Sequence, residues 1–148
     1  MRILLVLCLT GLIALSPLAA SSSTPPFSDD DYDAIVAAVT DYSMSYYEGD
    51  GARMERALHP HLSKRTIDDQ GKRHKLSEMS AMELVQIIRM GSGKKVPADE
   101  RISEVAILDI EGDVATVKLT MRSWIDYMHL AKMNGKWQIV NVLWRTNG

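Results

Sequence analysis

The sequence predicts an α+β domain in which three N-terminal helices and a small hairpin pack on an antiparallel sheet. Three observations carry this expectation. Residues 28–90 hold three apolar patterns at helical spacing, each with its own capping signal. Residues 101–145 change to a period of two. Their segments are joined by glycine-bearing turns, as an antiparallel meander requires.

The first helix starts at Ser28, whose hydroxyl can cap it, and carries Asp29, Asp30 and Asp31 where the helix dipole favours negative charge. Tyr32, Ile35, Val36, Val39, Tyr42 and Tyr46 then recur on one face, opposite Asp33, Asp41, Ser45 and Glu48, until Gly49 ends it. Asp50 caps a short second helix, 51–58, which turns Met54, Ala57 and Leu58 inward and is stopped by Pro60. Segments 63–69 and 74–77 flank Gln70-Gly71-Lys72 and form the small polar hairpin.

Ser80 and Glu83 make a capping box, and Met79 and Leu84 a hydrophobic staple, so a third helix runs to about Met90 with Leu84, Ile87 and Ile88 buried. The run Gly91-Ser92-Gly93-Lys94-Lys95 follows this helix instead of opening one. It lacks the helix N-terminus that cradles a phosphate and reads as a loop. Strands then occupy 101–110, 114–123, 125–133 and 136–145, joined by Glu111-Gly112-Asp113, a bend near Ser123-Trp124, and Asn134-Gly135.

With 148 residues, 46% apolar and 24% charged, the chain has the composition of one globular domain. Its 17 basic residues are dispersed against 19 acidic ones, so no basic stripe is available to displace counterions from nucleic acid. Residues 1–20 read as a signal peptide: a basic start, an apolar run and the small residues Ala19, Ala20 and Ser21. The run is shorter than the roughly 20 residues of a membrane span. An exported protein, periplasmic or secreted and free of the membrane after cleavage, is expected. Residues 21–28 form a flexible lead-in and 29–148 the domain. The single cysteine, Cys8, lies in the leader, so the mature chain has no disulfide, no thiol catalysis and no cysteine metal site.

The last hairpin governs which side chains share a face. A two-residue turn at Asn134-Gly135 pairs Met133 with Lys136 and sets Asp126 with Asn141 and Leu143. A three-residue turn pairs Lys132 with Lys136 and sets Asp126 beside Val140, Val142 and Trp144. The sequence allows both. In either register both faces hold large apolar groups: Trp124, Met128 and Leu130 on one, Ile125, Tyr127 and Ala131 on the other. The helices cover one face, and a second copy of the chain is expected on the other, giving a homodimer through the outer sheet face.

The segments Asp126-Tyr127-Met128-His129-Leu130 and 134–144, with Leu58-His59-Pro60 upstream, resemble the putative lumazine-binding family of the nuclear transport factor 2-like superfamily, which also holds ketosteroid isomerase, scytalone dehydratase and polyketide cyclases. The likeness spans about 30–145. It implies a cystatin-like cone with a pocket at its mouth and a dimer on its outer face. On the ketosteroid isomerase pattern, Tyr42 falls on the oxyanion-binding tyrosine, Asp126 on the neutral hydrogen-bonding aspartic acid, and Trp144 on a pocket tryptophan. The position of the catalytic base holds Thr66, with Arg65 and Asp68 beside it. The resemblance favours the register that sets Asp126 with Trp144.

Asp126 is the most suggestive polar residue, because a carboxyl among Trp124, Met128, Val142 and Trp144 has its proton affinity raised. The plain reading is a carboxylate satisfied by backbone groups, Arg145 or Arg122. Tyr42 sits at helical spacing with Tyr32 and Tyr46, which is also what a core tyrosine does. His129 alternates away from Asp126, and His59, His61 and His74 lack the spacing of metal ligands, so neither a metal nor a cofactor is predicted. Three readings follow. The first is a domain binding a flat, mostly apolar small molecule through Trp124, Trp144, Met121, Met128 and Val142, with Asp126 and Tyr42 orienting it. The second is a cofactor-free acid/base isomerase, dehydratase or cyclase using Asp126 and Tyr42. The third is an interaction domain with a filled cone.

Overall fold

The computed structural model describes residues 28–70 and 73–147; the leader and lead-in read at the N-terminus and the Gly71-Lys72 turn lie outside them. The order is α1 (Asp29–Glu48), α2 (Gly51–Ala57), β1 (Leu58–Gln70), β2 (Arg73–Ser80), α3 (Ala81–Arg89), two short 3-10 turns, then β3 (Ser103–Glu111), β4 (Val114–Met121), β5 (Trp124–Met133) and β6 (Lys136–Thr146). The caps lie where local chemistry puts them. Ser28 accepts from the Asp31 amide, Gly49 takes the left-handed conformation at φ 67°, and Ser80 and Glu83 close the capping box.

The strands form one six-stranded sheet in the order β2-β1-β6-β5-β4-β3. It is mixed where a purely antiparallel sheet is expected from sequence: β1 runs parallel to β6, and every other neighbour is antiparallel. The cause is connectivity. The first hairpin returns to the sheet beside its last strand, so β1 and β6 meet across the whole domain. β1 is also longer than the predicted hairpin arm and begins directly at Leu58, with Pro60 inside it, at the one point where its pairing with β6 is irregular.

Turn and register at the last hairpin combine the two alternatives. Met133 pairs with Lys136 across a two-residue turn whose Asn134 and Gly135 both have positive φ, 52° and 76°. A β-bulge then intervenes: His129 pairs with Asn141 but Leu130 with Ile139, leaving Val140 as the extra residue. Beyond the bulge Asp126 faces Trp144 and Met128 faces Val142, so these four share the inner surface while Tyr127, His129, Asn141 and Leu143 turn outward.

The helices cover that inner surface. Ile35, Val39, Met54, Leu84, Ile88, Val117, Leu119, Met128, Leu130, Ile139 and Val142 make one continuous core. Both ends of α1 are tied to the sheet. At the N-terminal end Asp31 accepts from Lys132 Nζ at 2.6 Å and Trp137 Nε1 at 2.8 Å. At the C-terminal end the Tyr47 hydroxyl donates to the Ile102 carbonyl at 2.7 Å and accepts from the Arg122 amide at 3.3 Å. Tyr32, placed by its spacing on the buried face, is instead half-exposed in the first turn of the helix.

Candidate functional site

Three polar residues meet under the helices on the inner face of the sheet. Asp126 projects from near the start of β5 and is 0% exposed; Lys64 projects from β1 and is 6% exposed; Tyr42 comes from α1 and is buried. The Lys64 ammonium donates to Asp126 Oδ1 at 2.7 Å and to the Tyr42 hydroxyl oxygen at 2.7 Å. It also lies 5.2 Å from the centre of the Trp144 ring, within cation–π range. Lys64 thus reaches across β6 to a carboxylate two strands away, over the tryptophan that pairs with that carboxylate. A lysine ammonium has three N–H donors, and two are engaged by described residues.

Burial dominates the titration of all three. It pushes the Asp126 carboxyl up from the ordinary carboxylate range, against the pull of the Lys64 charge. It pushes the Lys64 ammonium down, against the Asp126 charge. Burial and the neighbouring carboxylate together hold the Tyr42 phenol well above its usual value. Asp126 Oδ2 has no hydrogen-bond partner among the described residues. A buried carboxylate oxygen left bare adds to the cost of ionising this group.

A cavity of about 170 Å³ opens above this cluster, lined by Tyr42, Tyr46, Met54, Lys64, Met79, Leu84, Ile87, Ile88, Met121, Trp124 and Trp144. The fully buried members form its floor, and the half-buried Tyr46, Met79, Ile87, Trp124 and Trp144 its mouth. Trp124 stands edge-on to Tyr46 at 4.8 Å and to Trp144 at 6.3 Å. Its indole N–H is spent on the Met121 sulfur at 3.2 Å, leaving Lys64 as the charged group on an otherwise hydrophobic wall.

Of the residues singled out from sequence, Tyr42, Met121, Trp124 and Trp144 line this cavity. Asp126, Met128 and Val142 do not: all three are 0% exposed and lie behind the wall, and Asp126 reaches the cavity only through Lys64. Neither Arg122 nor Arg145 satisfies Asp126; Arg122 pairs with Glu100 and Arg145 donates to the Thr146 carbonyl. Thr66, expected from the ketosteroid isomerase pattern to stand where a base would, donates to the Trp144 carbonyl at 2.8 Å, and Arg65 faces outward to Glu78 and Asn141. Lys64 is the residue of the candidate site that sequence reasoning missed. Its one signal is parity, since Leu62, Lys64 and Thr66 share a face of β1, and this is visible only once the strand is known to start at Leu58.

The helix-on-curved-sheet architecture is that of nuclear transport factor 2-like, cystatin-like domains. Residues 30–145 match the family described as Putative lumazine-binding, and the chain belongs to it. Among solved structures it is similar to an NTF-2 like protein of unknown function from Silicibacter pomeroyi DSS-3, at 18% identity and TM-score 0.65, covering 80% of this chain and 97% of that one. It is also similar to an NTF2-like protein of unknown function from Shewanella baltica OS155, at 22% identity and TM-score 0.61, covering 80% and 95%. A ketosteroid isomerase-like protein from Erwinia carotovora atroseptica SCRI1043 aligns at 14% identity and TM-score 0.58, covering 82% and 99%. No curated protein matches the chain.

Proposed function

We propose that the protein is an exported small-molecule-binding domain whose cavity takes a flat, mostly apolar molecule about the size of a single ring. The observation that carries this reading is the apolar cavity with Lys64 in its lining, the ammonium held by Asp126 and Tyr42. Small-molecule binding is also what the family description and the fold suggest. Apolar cavities of about 150 Å³ accept benzene, which sets the size class. Trp124, Trp144 and Met121 supply contact area, and the third N–H of Lys64 orients a single acceptor atom on the ligand. Tyr42 and Asp126 act through Lys64 by fixing its head. An isomerase, dehydratase or cyclase worked by Asp126 and Tyr42 alone is less well supported, because both oxygens are turned to Lys64.

Export rests on the leader pattern of residues 1–20. Among the described residues no helix is long and apolar enough to cross a membrane. A homodimer rests on the outer sheet face, where Tyr127 and Leu143, paired across β5 and β6, are each 47% exposed and Ile67 and Leu76 are paired and exposed farther along. Sedimentation at micromolar concentration is expected to give twice the chain mass; a single-chain mass contradicts the dimer.

Thermal melts with toluene and with benzonitrile, which has the same ring and adds an acceptor nitrogen, test the ligand reading. Both ligands are expected to raise Tm in the parent chain, benzonitrile more, and its advantage is expected to vanish in Lys64→Met. If neither ligand moves Tm at millimolar concentration, the reading falls.

A further inference from the structure

We propose that Lys64 captures small apolar aldehydes or ketones covalently, as a Schiff base formed inside the cavity, with Asp126 as the proton carrier. This rests on the ligand reading above and goes beyond it, from a lysine that orients a molecule to one that bonds to it.

Imine chemistry needs an amine that can shed its proton, a carbonyl held against it, and a group to move protons without bulk water. The structure supplies each. Lys64 lines the cavity, with its Nζ between the lining residues Tyr42 and Trp144, and Asp126 Oδ1 lies 2.7 Å from that Nζ on a side chain 0% exposed. The walls are mostly hydrocarbon and aromatic, so a carbonyl compound that seats its apolar part there brings its oxygen toward the one charged side chain of the lining, Lys64. Desolvation favours the neutral amine and the neutral acid over the ion pair, so proton transfer from Nζ to Oδ1 is easier here than between the same groups in water.

The steps balance. The ammonium first passes a proton to Asp126 Oδ1, giving amine and carboxylic acid. The nitrogen lone pair attacks the carbonyl carbon, the N–C bond forms, and the C=O electrons move to oxygen, which takes a proton from nitrogen to give a neutral carbinolamine. Asp126 returns its proton to that hydroxyl, whose carbon is bonded to Nζ. The C–O bond breaks, water leaves, and the product is a protonated imine facing the carboxylate. That cation has a single N–H, which goes to the Asp126 carboxylate, and its charge stays beside the Trp144 ring; the hydrogen bond to the Tyr42 oxygen is given up. The Tyr42 oxygen positions Nζ and is asked for no proton.

The experiment uses the full chain, benzaldehyde as the carbonyl probe, cyanoborohydride to fix the imine, and peptide mass mapping to locate it. The exposed Lys95 and Lys136 serve as internal references. At neutral pH Lys64 is expected to be labelled at least about tenfold faster than either reference, with a rate that saturates in benzaldehyde. Toluene is expected to compete at Lys64 and not at the references. Asp126→Asn is expected to slow labelling at Lys64 alone, and Lys64→Arg to abolish the fast phase with the references unchanged. Competition by toluene is measured on the parent chain, so the test holds even where a variant fails to fold. If toluene raises Tm but Lys64 is labelled no faster than the references, the Schiff base is overturned and the binding site stands. If toluene neither raises Tm nor competes, and Lys64 is not labelled, both readings fall together.

Discussion

Replacing Lys64 by methionine keeps the length of the side chain and removes its charge, leaving Asp126 ionised, 0% exposed and without the one cation that compensates it. Breaking one half of a buried ion pair costs roughly 3–5 kcal/mol, because the surviving charge keeps its desolvation penalty and loses its compensation. For a domain of this size that lowers Tm by roughly 10–20 °C. The double variant Lys64→Met/Asp126→Leu removes both charges and is expected to return to within about 2 kcal/mol of the parent, the residue being the Tyr42 hydroxyl left without its partner. Urea unfolding of the four members of this cycle reads the coupling directly. The pH dependence is fixed by sign. Burial raises the folded-state pKa of Asp126 above its unfolded value, more so without Lys64, so its contribution is fully present below the unfolded carboxylate range and is lost as pH rises through the folded value. The penalty in Lys64→Met therefore shrinks toward pH 4 and is full at pH 8. A loss under about 1 kcal/mol in the single variant, or a further loss on adding Asp126→Leu, would refute the picture of a dry, coupled pair.

Filling the mouth of the cavity with Ile87→Trp is expected to abolish the Tm shift by toluene while changing stability by less than about 1 kcal/mol, since Ile87 is half-exposed; thermal melts with and without ligand decide it. Gly93→Ala is expected to destabilise by about 2 kcal/mol or more, because its Cβ would lie 2.2 Å from the Tyr46 carbonyl oxygen, whereas Gly112→Ala has open space and bears only the strain of its φ of 56°, about 1 kcal/mol; urea midpoints separate them. The hydrogen bonds from Lys132 and Trp137 hold the Asp31 carboxyl below the usual carboxylate range. A depressed carboxylate contributes stability above its unfolded pKa and loses it as pH falls through the folded value, so the Tm curves of the parent and Asp31→Asn are expected to converge in acid.

Most of the architecture is written in local chemistry. Ser28, Gly49 and the Ser80–Glu83 box mark helix ends because each supplies a bond or a backbone angle that a helix terminus lacks on its own. Strands β3 to β6 follow from alternation and from Asn134-Gly135, which tolerates positive φ. The candidate site is less legible because it depends on two non-local events. One is the bulge at Val140, which moves Val142 and Trp144 to the inner face and which no residue type demands. The other is the parallel pairing of β1 with β6, which brings Lys64 alongside Val142 and within reach of Asp126, 62 positions later. Asp126 stands out in the sequence because it is an acid among apolar neighbours. Lys64 does not, since it sits in a polar stretch where a solvated lysine is the ordinary expectation.

Methionines report on the cavity without any added probe: Met54, Met79 and Met121 line it, while Met82 and Met90 are more than 70% exposed on and beside the third helix. Titrating toluene into the methyl-labelled protein and following the methionine methyl resonances is the most direct test of occupancy. Saturable shifts are predicted at the three lining methyls, with Met82 and Met90 unmoved. Lining methyls that stay still at saturating toluene, or shifts spread equally over the exposed pair, would contradict a ligand seated above Lys64.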